Sequence, residues 1–469
     1  MRWRSVAVRR TGLVLILSLL TLSVAAGITS ASNVVTGLSE SRGDVSVPTW
    51  LYLATGAGVV GASALLTMMV TDQEFVADIH HQSVGFSSDT VVRAVTIIGR
   101  AIGVLALVGL LIVGVYGPQG IGLTSLTVLV TFVVVRAILT MTAYTVGNPW
   151  PILNPWRTIA TALPSRNSPY PSWLGSWPAV AALLLFVWVE VMLPVISSPL
   201  HLTAVIGVYT LLTLTGAALF SPETWFRRGD PLSVWFRLYG AVGPLYRDDT
   251  GTLRLRWPGT RLGDDDVITD LSVVAFAIVL VWELTYSGFI VTPPGIWTIE
   301  TLVGIGLSPA LVYLLLLLVG YAGFCWMYWR AAKWTRSRAD TFLSRRYLAI
   351  RYAPPLLAIA AGYHVAHYLG FAISLWPTLL SALSAPLNPD PNPTQLALTP
   401  WFGYVEIAGI LIGHVIAVWI AHAVSLELFP GKLQAIRSQY PFIIVMIMFT
   451  MVSLYLVSLP AFEPPYVQS

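Results

Sequence analysis

"LSVVAFAIVLVWELTYSGFI", residues 271–290, decides the architecture. A single carboxylate, Glu283, interrupts an otherwise apolar or small-polar run. A helix rises about 1.5 Å per residue, so about twenty residues cross the roughly 30 Å hydrocarbon core of a bilayer. Runs of this kind recur along the chain. They predict helices near 50–70, 94–116, 123–145, 177–197, 203–220, 270–291, 307–329, 353–382, 402–427 and 440–459. One more apolar run, from Gly12 to about Ile28, follows four arginines at the N-terminus. Residues 1–31 therefore read as a signal peptide or as a first transmembrane helix, and 32–469 as a single transmembrane helical domain.

Composition agrees. Of 469 residues 56% are hydrophobic and only 10% charged, with a mean hydropathy of +0.75. A soluble domain carries about 25% charged residues, so this chain could not cover a water-facing surface. Its one cysteine, Cys325, excludes a disulfide scaffold. The expected fold is all-α: a polytopic integral membrane bundle of ten or eleven helices in a prokaryotic plasma membrane. Placing the N-terminus inside puts twenty-four of the 26 Lys and Arg residues on the cytoplasmic side, as loop charge bias requires. Arg42 falls outside and Arg136 within a span, and the C-terminus lies outside. The run 353–382 is long enough to tilt, or to break near Trp376-Pro377.

Outer connections are short and nearly uncharged, including Thr292–Gly306 and the Pro-rich 385–400 segment. The large cytoplasmic loop, 221–269, holds Leu232, Trp235, Phe236, Tyr239 and Val242 at helical spacing. That pattern predicts a short helix lying in the membrane interface. "RDDTGTLRLRWPG" predicts a hairpin turning at Thr250-Gly251, and "GDDD" at 263–266 an acidic loop. Two NPW elements (148–150 and 154–156) mark irregular backbone with tryptophan anchors at the inner face.

Ionisable side chains within spans are the functional candidates, because each costs about 2.5–3.5 kcal/mol at the helix centre. Counting residues from the helix ends places Arg136, Glu190, Glu283, His364, His367 and His414 near one depth, on five helices. Glu406 lies nearer the outside and His422 nearer the inside. Arg136 with Glu190 or Glu283 suits a helix-joining ion pair or a proton or ion relay. "GYHVAHYLG" sets His364 and His367 three apart, and His414 at matching depth supplies a third possible ligand for a transition metal such as Zn, Cu or Fe. The same histidines also suit plain interhelical hydrogen bonding. His80 and His81, beside Asp78, fall on a cytoplasmic loop. Glu190 and Glu283 sit in similar settings, "FVWVEVML" and "VLVWELTY".

There is no Walker A loop, dinucleotide glycine fingerprint, paired-cysteine motif, H-E-x-x-H or G-x-S-x-G. The basic loops fit topology and anionic lipid better than nucleic acid. Expected partners are the lipid bilayer, a small-molecule or ion substrate and other membrane proteins.

Several stretches resemble a family of polytopic membrane proteins of actinobacteria, proteobacteria and haloarchaea, some of whose members are labelled fenitrothion hydrolase. They are "SRGDVSVPTWLY", "NPWR" at 154–157, "ETWFRRGDPLSVWFRLYGAVGPL", "GYHVAHYLG" and "AIRSQYPFIIVMIMFTMVSLYLV". The resemblance implies hydrolysis of an organophosphate ester by metal-activated water, falling on His364 and His367. Where the family tends to carry an acidic residue before Gly288, this chain has Tyr286 and Ser287. Three readings follow: a transporter or permease with a polar mid-membrane site, a membrane-embedded metal-dependent hydrolase, and a structural or assembly subunit.

Overall fold

The computed structural model describes residues 49–467, apart from Thr71, Ser87, Ser88, Ile121, Asp249 and Pro400. The first apolar segment, 1–31, and the side chains of His80 and His81 lie outside the described residues. In chain order the elements are α1 (Thr49–Met68), α2 (Gln73–His81), β1 (Val84–Phe86) and α3 (Asp89–Tyr116). Then come α4 (Leu126–Thr145), α5 (Trp150–Leu153), α6 (Pro155–Ala162), α7 (Trp177–Met192) and α8 (Pro199–Phe220). The large loop holds α9 (Pro222–Arg228), α10 (Pro231–Gly240), β2 (Leu245–Arg247) and β3 (Leu253–Leu255). The second half contains α11 (Leu271–Ile290), α12 (Pro293–Gly304), α13 (Pro309–Arg338), α14 (Arg345–Arg351), α15 (Pro354–Ser384), α16 (Phe402–Leu428) and α17 (Lys432–Val457).

The protein is an all-α membrane bundle. Among the described residues nine helices are long and apolar enough to cross a membrane, and Gly58–Met68 within α1 is a shorter apolar helix. Each of the ten runs expected between 50 and 459 forms a helix. Prolines at the first or second helical position open α7, α8, α11's successor α12, α13 and α15, where a missing N–H costs nothing.

α15 is central: residues 354–364 are all buried. It meets α16 backbone to backbone. A Cβ on Gly362 would lie 2.6 Å from the Gly409 carbonyl oxygen, and one on Gly413 would lie 2.6 Å from that of Ala358. Gly409 and Gly413 are spaced as small-xxx-small, the pattern that lets membrane helices approach closely. α15 does not break at Trp376-Pro377; the helix runs on to Ser384. Proline removes the donor for the Ile373 carbonyl, and the outer 385–400 segment packs against this turn. Leu396 N donates to Ser374 O at 2.9 Å, Ser374 Oγ to Leu396 O at 2.9 Å, and Thr378 Oγ1 to Thr394 O at 2.6 Å.

On the Arg-rich face the connections form a structured layer. The expected hairpin is present as β2 and β3, with Gly251 at φ 82°. It gains a third strand, β1, to give the antiparallel order β1-β3-β2. α10 forms where the periodicity placed it, but its apolar face does not lie open to lipid. Val234, Trp235, Phe236, Leu238 and Tyr239 are buried in the protein. The physical reason is Asp230, which accepts from Ser233 N at 2.8 Å, Tyr209 Oη at 2.5 Å and Thr213 Oγ1 at 2.8 Å. These bonds cap α10 and tie its start to α8. On the outer face, 292–306 is not a bare connection, since α12 occupies it. The C-terminal tail folds back there, with Phe462 N donating to Val291 O at 2.8 Å and Tyr313 Oη to Pro465 O at 2.7 Å.

Candidate functional site

The site is built around α4. Residues Val130–Leu139 in its middle are π-helical, a widened turn that regular sequences avoid and functional sites favour. Neighbouring side chains support it. Thr140 Oγ1 donates to Val135 O at 3.2 Å and itself accepts from Trp235 Nε1 of α10 at 3.1 Å. His364 Nε2, from α15, meets Arg136 O at 3.0 Å.

Arg136 projects from this turn between two helices. Its Nη1 pairs with Glu190 Oε2 of α7, and its Nη2 with Glu283 Oε2 of α11 at 2.9 Å. Its Cζ lies 5.2 Å from the centre of the Tyr368 ring of α15, within cation–π range. Glu283 is only 1% exposed, against 15% for Glu190 and 16% for Arg136. Among the described residues Glu283 Oε1 and Arg136 Nε have no hydrogen-bond partner. One guanidinium thus faces two carboxylates, leaving a formal charge of −1 when both are ionised. The similar settings of the two glutamates have a shared cause. Trp188 Nε1 donates to Ala310 O at 3.0 Å and Trp282 Nε1 to Leu317 O at 2.9 Å, so each preceding tryptophan fastens its helix to α13.

His364 completes the group. A carbonyl only accepts, so Nε2 bears the proton donated to Arg136 O, and Nδ1 accepts from Tyr144 Oη at 3.2 Å. The imidazole stacks on Tyr368 at 4.5 Å and meets Tyr144, Tyr239 and Trp235 edge-on. The result is an aromatic wall between the charged triad and α10. The Tyr239 hydroxyl is buried there and has no hydrogen-bond partner among the described residues.

The other histidines go elsewhere. His367 Nδ1 bonds the carbonyl of Tyr363 on its own helix at 3.0 Å. His414 Nδ1 bonds Ile410 O at 2.8 Å, and its Nε2 pairs with the Thr450 hydroxyl of α17. His422 bridges Val70 O at 2.7 Å and Gln439 Nε2 at 3.1 Å. Among the described residues no three His, Cys, Asp or Glu side chains form a group able to hold a metal ion. The three-ligand set His364, His367 and His414 is therefore not assembled: the three share a depth but face α4, their own helix and α17 respectively. Glu406 is buried near the outer end of α16.

No family model, curated protein or solved structure matches this chain. Its site must be read from its own atoms. The expected convergence holds for Arg136, Glu190, Glu283 and His364. Sequence pattern does not mark Tyr144, Tyr239 and Trp235 as site residues, and spacing holds a clue only for Tyr368, which is four residues after His364 and on the same helical face. Tyr286 and Ser287 serve packing: Tyr286 Oη donates to Tyr313 O at 3.0 Å and Ser287 Oγ to Glu283 O at 2.9 Å.

Proposed function

We propose that this integral membrane protein is a proton-coupled transporter or permease whose proton site is the Arg136–Glu190–Glu283 group. The observation that carries the reading is Glu283 Oε1, buried and without a donor among the described residues, beside a second carboxylate that shares its arginine. An uncompensated charge in a low-dielectric interior is expensive. One bound proton brings the group to neutrality, and its release restores −1. The partial exposure of Arg136 and Glu190 supports an approach to the group from one side. His364 and Tyr144 hold the α4 turn so that Arg136 faces both carboxylates.

The test uses infrared difference spectra of the purified protein in lipid, recorded across pH. A carbonyl band of a protonated, dry carboxyl should appear as pH falls and should vanish in Glu283→Gln. A band that survives this substitution, or no band in the wild type, sinks the proton site and leaves the triad as an ion pair joining α4, α7 and α11. The structural or assembly role would then be the better reading. The hydrolase reading, carried by the family resemblance, draws no support from the histidine geometry, which offers no shared ligand point.

A further inference from the structure

Arginines on the inner face fall into two classes. In the 221–269 loop many are engaged within the protein: Arg254 with Asp248, Arg256 with Asp264 and Arg261 with Asp266. Arg237 reaches Val267 O, and nearby Arg351 pairs with Asp265 and Glu427. The inner end of α13 and the turn after it are different. Arg330, Lys333, Arg336, Arg338, Arg345 and Arg346 are all exposed, and among the described residues none is in an ion pair. Charge bias between loops accounts for the sign of these residues. It does not account for their lack of carboxylate partners.

Depth and aromatic placement say what they face. From Pro309 to Trp329 is about 30 Å of helix, the thickness of the hydrocarbon core. The last turns of α13 therefore run through the headgroup zone. Trp329 and Trp334 are exposed along this stretch, with Arg338 Cζ 5.4 Å from the Trp334 ring. Phe342 is fully exposed at the tip of the following turn, and that turn is well fixed. Ala339 N donates to Thr335 O at 2.9 Å, Gln434 Nε2 to Ala339 O at 2.7 Å, and Thr335 Oγ1 to Ser438 O at 3.0 Å. A fixed turn that holds a phenylalanine outward among cations is built for an interface with both apolar and anionic parts.

We propose that the inner end of α13 with the 339–346 turn is a binding site for anionic phospholipid headgroups, the phosphates held by the exposed cations and the apolar edge of the site supplied by Trp329, Trp334 and Phe342. The experiment reconstitutes the full chain in phosphatidylcholine containing a minor fraction of phosphatidylglycerol, re-extracts it, and weighs the retained lipids by mass spectrometry. Phosphatidylglycerol should be enriched over phosphatidylcholine. The enrichment should be all but lost in R336Q/R338Q/R345Q/R346Q, since the contributions of four surface cations multiply, and should fall less in F342S. The wild type at high ionic strength gives the same reading without any substitution, should the quadruple variant not fold. Equal retention of both lipids, or an enrichment that neither salt nor the substitutions reduce, overturns the proposal.

Discussion

Two buried carboxylates of this protein, Asp230 and Glu283, are furnished in opposite ways. Asp230 receives a backbone N–H and two hydroxyls, all neutral donors, and acts as the joint between α8 and α10. Glu283 receives one guanidinium that it shares with Glu190, while its second oxygen has no donor among the described residues. Burial alone therefore does not mark a functional acid. Incomplete satisfaction beside a competing like charge is what makes Glu283 the candidate proton site, because there a proton relieves both the unmatched oxygen and the repulsion.

The largest effect should come from Arg136→Met. It strands two carboxylates in the apolar interior, and breaking a buried ion group of this kind costs about 3–5 kcal/mol. Unfolding by titrated anionic detergent should show that loss, and the uncharged triple variant R136M/E190Q/E283Q should recover most of it. A triple variant as unstable as the single one would mean that shape, not charge, governs the group.

Asp230→Ala should come next, at about 2–4 kcal/mol, from a lost helix cap and two stranded buried hydroxyls. It should leave the carboxyl infrared band in place. Loss of that band would erase the distinction between the two acids.

The smallest effect concerns acid stability and a third carboxylate, the partly exposed Asp248. Hydrogen bonds from Thr250, then Arg254 and the Thr252 and Thr250 amides, hold its carboxyl at about 2, below its ordinary 3.8. Its contribution is present above 3.8 and lost as pH falls from 3.8 towards 2. Asp230 has the opposite sign. Burial outweighs its hydrogen bonds and raises its carboxyl above 3.8, so its contribution is present below 3.8 and lost as pH rises past that value. The acid limb of melting temperature against pH should therefore become slightly shallower in Asp248→Asn. An unchanged limb would show that the hairpin does not contribute to global stability.

Most spans were legible because apolar length is a one-dimensional property that the chain writes directly. Depth was legible for the same reason, and it brought Arg136, Glu190, Glu283 and His364 to one level. Direction around each helix axis was not. His364 and His367, three residues apart, turn to different partners, and His414 faces α17. The π-helical stretch adds to the difficulty, since it alters the angle per residue around Arg136. α12 was missed although Pro293 and Gly304 bracket it, because Trp297, Glu300 and their neighbours make no run of spanning length. β1 is three residues long and pairs with a strand about 170 residues away, a match no local pattern announces. The interfacial placement expected for α10 differs from the observed burial because its apolar residues look alike whether they meet lipid or protein.

The distance in sequence between the triad's members has a consequence for biogenesis. Glu190 follows Arg136 by 54 residues and Glu283 by 147. At about 5–20 residues per second on the ribosome, the wait for Glu283 is roughly 7–30 s. Throughout that interval the α4 segment carries a cation still short of one counter-charge, so its settling into the bilayer is tied to the emergence of the chain's middle third.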